Sequence, residues 1–163
     1  MRLQDVAKKA GVSHPTILHH FGSRDGLVRA LHQRALAELS NTVVSKMGSS
    51  DGLHATFKAY REGLAQRMLW LTQSEDGPPR SGLAVFDAIA TALHAERIKH
   101  GRPEVPPDME DTRAVVHLVA IAAFGDALIG PRMRTNAKDP TATRDGFVDR
   151  FGDMIATYLR AKG

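Results

Sequence analysis

The sequence predicts an all-α protein, and three observations carry that expectation. Apolar residues recur in steps of three and four through nearly every segment of the 163-residue chain. Clusters of Gly, Ser, Asp and Pro separate those segments, as the ends of helices require. No useful stretch alternates apolar and polar residues at the period of two that a half-buried strand would show, and there is no internal repeat.

Taken in order, Leu3, Val6, Ala7 and Ala10 share one helical face, and Gly11 ends that helix with the positive φ that glycine tolerates. Ser13 caps a second helix, with Pro15 near its first turn and Ile17 and Phe21 on its inner side. Gly22-Ser23 breaks the chain again. Ser23 caps a third helix with Asp25 in its first turn, which Val28, Leu31, Ala35, Leu39 and Val43 carry to about Met47. The loop Gly48-Ser49-Ser50-Asp51 leads to Leu53, Phe57, Tyr60, Leu64, Met68 and Leu71, whose spacing predicts one further helix, with Asp51 as its cap. Asp76 to Arg80 is a break. Leu83, Phe86, Ile89, Ala90 and Leu93 mark a helix ending near Gly101, and a proline loop follows from Arg102 to Asp108. The next helix runs from about Met109 to Ile129, where Gly130-Pro131 is expected to end it. Pro131 to Pro140 reads as a loop or link, and the last helix places Phe147, Phe151, Met154, Ile155, Tyr158 and Leu159 on one stripe.

Composition narrows the function classes. With 42% hydrophobic and 25% charged residues, the chain is neither disordered throughout nor a fibrous repeat. The absence of cysteine removes a disulfide framework, a thiolate metal site and a cysteine nucleophile. Met1-Arg2-Leu3-Gln4-Asp5 is not a basic-then-apolar leader. The most apolar stretch, Ala114 to Ile129, has 16 residues and contains His117 and Asp126, against roughly 20 for a membrane span. A soluble cytoplasmic protein with no membrane partner is the expectation.

The net charge of +4 is unevenly placed. Residues 1–34 hold Arg2, Lys8, Lys9, Arg24, Arg29 and Arg34 against Asp5 and Asp25, whereas residues 35–163 hold 16 side chains of each sign. Four of the eight histidines also lie in that first fifth. A basic module on a neutral body points to an anionic partner for the module; the plainer alternative is a solvated surface.

Leu3 to Phe21 is a helix, a short glycine turn and a second helix. That is the helix-turn-helix arrangement, whose second helix enters the DNA major groove. Ala7 must be small where the helices cross, Gly11 makes the turn, and Ile17 anchors the second helix. His14, Pro15, Thr16, Leu18 and His19 then face outward. They offer imidazole and hydroxyl hydrogen bonds to base edges and phosphates, and apolar contact to thymine methyls.

The run Ala10-Gly11-Val12-Ser13-His14-Pro15-Thr16-Ile17-Leu18-His19-His20-Phe21-Gly22-Ser23-Arg24-Asp25-Gly26-Leu27 closely resembles the signature of the TetR family of bacterial transcriptional regulators. The specific resemblance covers about residues 2 to 34. It implies a DNA-binding domain over 1–34 and a divergent helical domain over 35–163 that binds a small effector and dimerises. Carried over by position, Ser13, His14, Pro15, Thr16, Leu18 and His19 would face a double-stranded DNA operator. Arg24 would replace the phosphate-contacting lysine usual in the family, a task its planar fork suits. Two departures stand out. The family commonly has a tyrosine at Leu18, whose hydroxyl meets a phosphate; Leu18 would touch a thymine methyl or the inner surface. The family also begins with a further helix before Leu3, so a segment ahead of this sequence is expected, the alternative being a shortened member with impaired DNA binding. Without that segment, Leu3, Val6 and Ile17 each lose part of a burial worth roughly 1.5–3 kcal/mol.

In the body, Phe57, Tyr60, Leu64, Met68, Trp70, Phe86 and Ile89 lie on central helices where the family keeps its effector pocket. They would suit an apolar small molecule, although most are equally suited to a core. Trp70 lies off the main stripe of its helix. His117 interrupts a helix apolar almost all round and is expected as a buried imidazole bonded to a protein carbonyl or the effector. His19 and His20 point in different directions and no carboxylate or cysteine completes a set, so no metal is expected, and no cofactor. The helices 109–129 and 147–160 are too apolar for a solvent-facing surface, and Ala120, Ala122, Ala123 and Gly125 permit close approach. A four-helix homodimer interface is expected there, an intramolecular core being the alternative. A dimer would present two recognition helices to half-sites about one DNA turn apart.

The resulting expectation is a sequence-specific transcriptional regulator, a repressor responsive to a small molecule. The competing reading is a helical ligand-binding or interaction protein that has lost DNA binding together with the family's first helix. No nucleophile–base pair or acid pair has convincing spacing, so an enzyme is not expected.

Overall fold

Glycine and serine set the first helix boundaries where the sequence places them. The computed structural model describes residues 2–46, 49–73, 81–101, 104–134 and 144–162, except for the side chains of 81, 82, 144 and 145. Gly11, at φ 68° and ψ 24°, closes α1 (Leu3–Ala10), its N–H reaching the carbonyls of Ala7 and Lys8. Ser13 opens α2 (His14–Phe21) by accepting the Thr16 N–H, and Ser23 opens α3 (Arg24–Ser45) by accepting that of Gly26. Helix α3 ends at Ser45; Met47 and Gly48 lie outside the described residues.

The helix expected to contain Leu53 to Leu71 is broken. It divides into α4 (Ser50–Ala59), a wide turn at Tyr60–Leu64, and α5 (Ala65–Thr72). Glu62 and Gly63 leave helical geometry there, Gly63 at φ 112°, which glycine adopts without the penalty of a Cβ. Widening the turn keeps both Tyr60 and Leu64 buried. Asp51 is not the cap of α4: Ser49 holds that position without a side-chain bond, and Asp51 sits in the first turn.

Helices α6 (Ser81–His100), α7 (Met109–Met133) and α8 (Arg144–Ala161) complete the described elements, among which there is no strand. Asp108 caps α7, its Oδ1 accepting the Glu110 N–H at 2.9 Å. The expected break at Asp76–Arg80 and the 135–140 part of the expected loop lie outside the described residues. Gly130-Pro131 does not end α7, which continues to Met133. Proline removes one amide donor, but the Arg134 N–H still reaches the Gly130 carbonyl at 3.1 Å and closes the last turn. At 25 residues, with mean hydropathy 1.8 in its most apolar window, α7 is long and apolar enough to cross a membrane by length and composition. In the fold it packs on α4, α6 and the Tyr60–Leu64 turn, with Val115, Val116 and Ala123 buried.

Two cores share one helix. Leu27 of α3 closes a small head core with Ala7 and Ile17, covered in part by Leu3 and Val6. Leu36 and Leu39 of the same helix join Phe57, Tyr60, Leu64, Ala65, Ala123 and Val148 in the body. Phe147 and Phe151 pack edge-on to Phe57, with ring centroids 6.0 and 5.9 Å away. The boundary expected at residue 34 therefore falls inside an unbroken helix.

A buried ion cluster fastens the body. Asp126 of α7 exposes 2% of its side chain; Arg61 Nε donates to its Oδ2 at 2.7 Å, and Arg134 pairs with Oδ1. The two guanidiniums also lie over the Phe57 and Phe147 rings, at 5.7 and 4.8 Å. Gly130 leaves the space this needs, since a Cβ there would lie 2.5 Å from Asp126 Oδ1 and 2.7 Å from Arg134 Nη2. Replacing Asp126 by Ala leaves two cations without the buried carboxylate and is expected to lower stability by about 3–5 kcal/mol. The urea midpoint at neutral pH measures it; an unchanged midpoint would show that the cluster does not hold the fold.

Candidate nucleic-acid interface and the cavity behind it

The head core determines which side of α2 is free. Ile17 is buried against Ala7 and Leu27, so the opposite side presents Pro15, Thr16, Leu18 and His19 to solvent, with His14 half-buried. Leu18 is 37% exposed, which places it outward rather than on the inner surface. The Ser13 hydroxyl is committed locally: it accepts the Thr16 N–H at 3.2 Å and lies 2.8 Å from the Thr16 hydroxyl. His19 and His20 stack edge-on to one another, centroids 5.7 Å apart. Arg2, Lys8, Lys9 and Arg24 are all exposed on the same small unit.

The corner between α2 and α3 is tight. Gly22 takes φ 70°, and a Cβ on Gly26 would collide with the Phe21 carbonyl. That closeness places Arg24, the first residue of α3, directly after the exposed helix.

Behind the head, α5 lies along α3. His32 is buried at 4% exposure, and Arg67 of α5 is its charged neighbour. Burial first, then the Arg67 charge, hold the His32 imidazole below its ordinary pKa. Neither His32 Nδ1 nor Arg67 Nε has a hydrogen-bond partner among the described residues.

Further into the body a cavity of about 620 Å³ opens between α3, α4, α6, α7 and α8. Its wall is mostly aliphatic: Leu36, Leu39 and Val43 from α3, Leu53 from α4, Val85 and Leu93 from α6, Val115, Val116 and Val119 from α7, and Val148, Ile155 and Leu159 from α8. Polar groups stand among the exposed lining, where His54 Nε2 lies 2.8 Å from Asp149 Oδ1, beside Lys46 and Asp153. Tyr60 is the deep polar group; burial pushes its phenol up to about 12, so it stays protonated.

Of the residues expected around an effector, Tyr60, Phe86 and Ile89 line this cavity. Phe57 and Leu64 are fully buried in the adjoining core, and Met68 packs against that core. Trp70 faces the head, with Arg24 Cζ 5.3 Å from its ring centroid. His117 is not the buried imidazole expected. It is exposed, edge-on to Phe86 at 5.6 Å, because α7 turns Ala114, His117, Leu118 and Ile121 outward on one helical face. The sequence reading missed the aliphatic walls supplied by α3 and α7, since a valine facing a cavity and one facing a core have the same periodicity.

The outward face of α7 remains strongly apolar, with Ile121 68%, Ile129 50% and Met133 74% exposed; α8 adds Met154 at 63%. A Cβ on Gly125 would meet nothing within 4 Å. Tyr158 donates to Asp111 Oδ1 at 2.8 Å, tying α8 to α7.

Residues 1–31 match the family of bacterial regulatory proteins, tetR family. The chain is 26% identical over 160 residues to the HTH-type transcriptional regulatory protein RaaS of Mycobacterium tuberculosis, covering 96% of this chain and 73% of that one. It is 27% identical over 158 residues to the HTH-type transcriptional repressor Rv3405c of the same organism, covering 96% and 77%. The HTH-type transcriptional regulator Mb3439c of Mycobacterium bovis matches to the same extent, 27% over 158 residues with 96% and 77% covered. No solved structure matches the chain.

The buried His32 gives a pH test. Unfolded, its ring titrates near 6.5; folded, it titrates lower. The unfolded chain then binds more protons between the two values, so this contribution is complete above 6.5 and is lost as pH falls through the folded value. The urea midpoint is expected to fall between pH 7.5 and 5, and His32→Leu should flatten that fall. An equally steep fall in the variant assigns the pH dependence to other groups.

Proposed function

We propose that this chain, a DNA-binding transcriptional regulator belonging to the TetR family, is a cytoplasmic, dimeric repressor that leaves its operator when an apolar small molecule enters the body. One observation carries the reading: α3 begins at exposed Arg24 beside the recognition helix and, further along, supplies Leu36, Leu39 and Val43 to the cavity wall. A ligand seated against that wall bears on the same rigid element that orients the head. It can shift the equilibrium only by its different affinity for the DNA-bound and free shapes. The wall is aliphatic with few polar groups, which suits an apolar effector.

On the DNA side, Thr16, Leu18 and His19 reach base edges while Arg24 meets a phosphate. The apolar faces of α7 and α8 pair with those of a second copy, so that two heads address a two-fold operator.

Binding to duplex DNA from the promoter beside its own gene, followed by fluorescence anisotropy, tests the reading. Affinity is expected to fall steeply with salt. Arg24→Ala should weaken binding to every sequence alike, and Thr16→Ala should change which sequence is preferred. Absence of salt-sensitive duplex binding overturns the assignment.

The dimer has a separate test. Ile121 is 68% exposed, so Ile121→Glu disturbs the single chain little. Sedimentation should show the variant as a monomer with much weakened operator binding; a variant that stays dimeric moves the interface away from this face.

A further inference from the structure

Among the described residues, the Arg24 side chain meets a ring rather than a carboxylate. Its Cζ lies 5.3 Å from the centroid of Trp70, the sole tryptophan of the chain. The two belong to different parts of the molecule: Arg24 opens α3 in the head, and Trp70 is half-buried on α5 in the body. Helix α5 lies along α3 at a second point as well, where Arg67 sits beside buried His32.

The chemistry of the contact decides what it does for DNA. A guanidinium that lies flat on a ring uses its face for the cation–π attraction. Its five N–H donors lie in its plane, so they stay free to meet phosphate oxygens. An exposed arginine otherwise samples many rotamers, and each must be surrendered when a phosphate is bound.

We propose that Trp70 is a positioning residue for DNA binding, its ring holding the Arg24 guanidinium with its donor edges turned to the operator backbone. This rests on the reading that Arg24 meets a phosphate. It also ties the grip of the head to the body, because α5 issues from the Tyr60–Leu64 turn and Tyr60 lines the cavity.

The test uses the full chain and the duplex that the wild type binds. Trp70→Leu should weaken binding about 3- to 10-fold whatever the sequence, and Trp70→Phe should recover most of the loss. Losing the Arg24 contact should lower the slope of log affinity against log salt by about 0.9. In the Arg24→Ala background, Trp70→Leu should add nothing. Arg24→Ala should also alter the emission of the single indole, and this readout with Trp70→Phe carries the test if Trp70→Leu fails to fold. Unchanged affinity in Trp70→Leu, tighter binding by it, or losses that simply add in the double variant each overturn the inference while leaving the DNA-binding reading standing. A wild type that binds no duplex overturns both.

Discussion

Leu27 and Leu39 belong to one helix, about 18 Å apart at 1.5 Å per residue, and each closes a different core. That continuity of α3 is the constraint on which the rest of the molecule depends. The head core is small, with Ala7, Ile17 and Leu27 buried and Leu3 and Val6 partly so. Anchoring α3 in the larger body core limits how far that head can turn. A flexible joint at the same place would leave the recognition helix free of anything happening behind it.

The body makes its own arrangements around that helix. A long apolar helix such as α7 gives little directional information, because aliphatic contacts tolerate sliding. Asp126 supplies the direction: a buried carboxylate with Arg61 on one oxygen and Arg134 on the other fixes the level of α7 against the Tyr60–Leu64 turn. Arg97 does similar work at the far end, donating to the Asp108 and Lys162 carbonyls and to the Thr112 hydroxyl at 2.5 Å. Polar fastening at the ends leaves the middle of the bundle free to enclose an aliphatic cavity without losing register.

The parts legible in the sequence were those under local control. Gly11, Ser13, Gly22 and Ser23 act on their own backbone or that of the next three residues, so α1, α2 and the start of α3 follow directly. The exposed face of α2 was equally legible, because burying Ile17 turns Thr16 and Leu18 outward. Features set by tertiary contacts were not. The unbroken spacing from Leu53 to Leu71 hid the turn at Gly63, and Pro131 looked terminal because nothing local reveals that Arg134 returns to Asp126. His117 looked buried because periodicity cannot tell which side of an apolar helix is covered. Periodicity likewise does not separate Phe57, which fills a core, from Val116 and Val119, which line the cavity.

Under the proposed function, stiffness sets how a ligand in the cavity would act on the head. The α3 residues facing the cavity, Leu36, Leu39 and Val43, lie on the C-terminal side of His32, and Arg24 lies two helical turns before it. A packed helix does not bend smoothly over that distance; it shifts or rotates as a unit between alternative packings. Helix α5 meets that unit at two places, Arg67 beside His32 between the two cores and Trp70 beside Arg24 on the head side of Leu27. A ligand in the cavity therefore changes the head only if it favours one packing of α3 against α5 over the other. A molecule that fits both equally leaves DNA affinity untouched however tightly it is held. On that reading the aliphatic wall would govern how tightly a ligand binds, and the α3–α5 seam would govern whether that binding changes anything at the DNA.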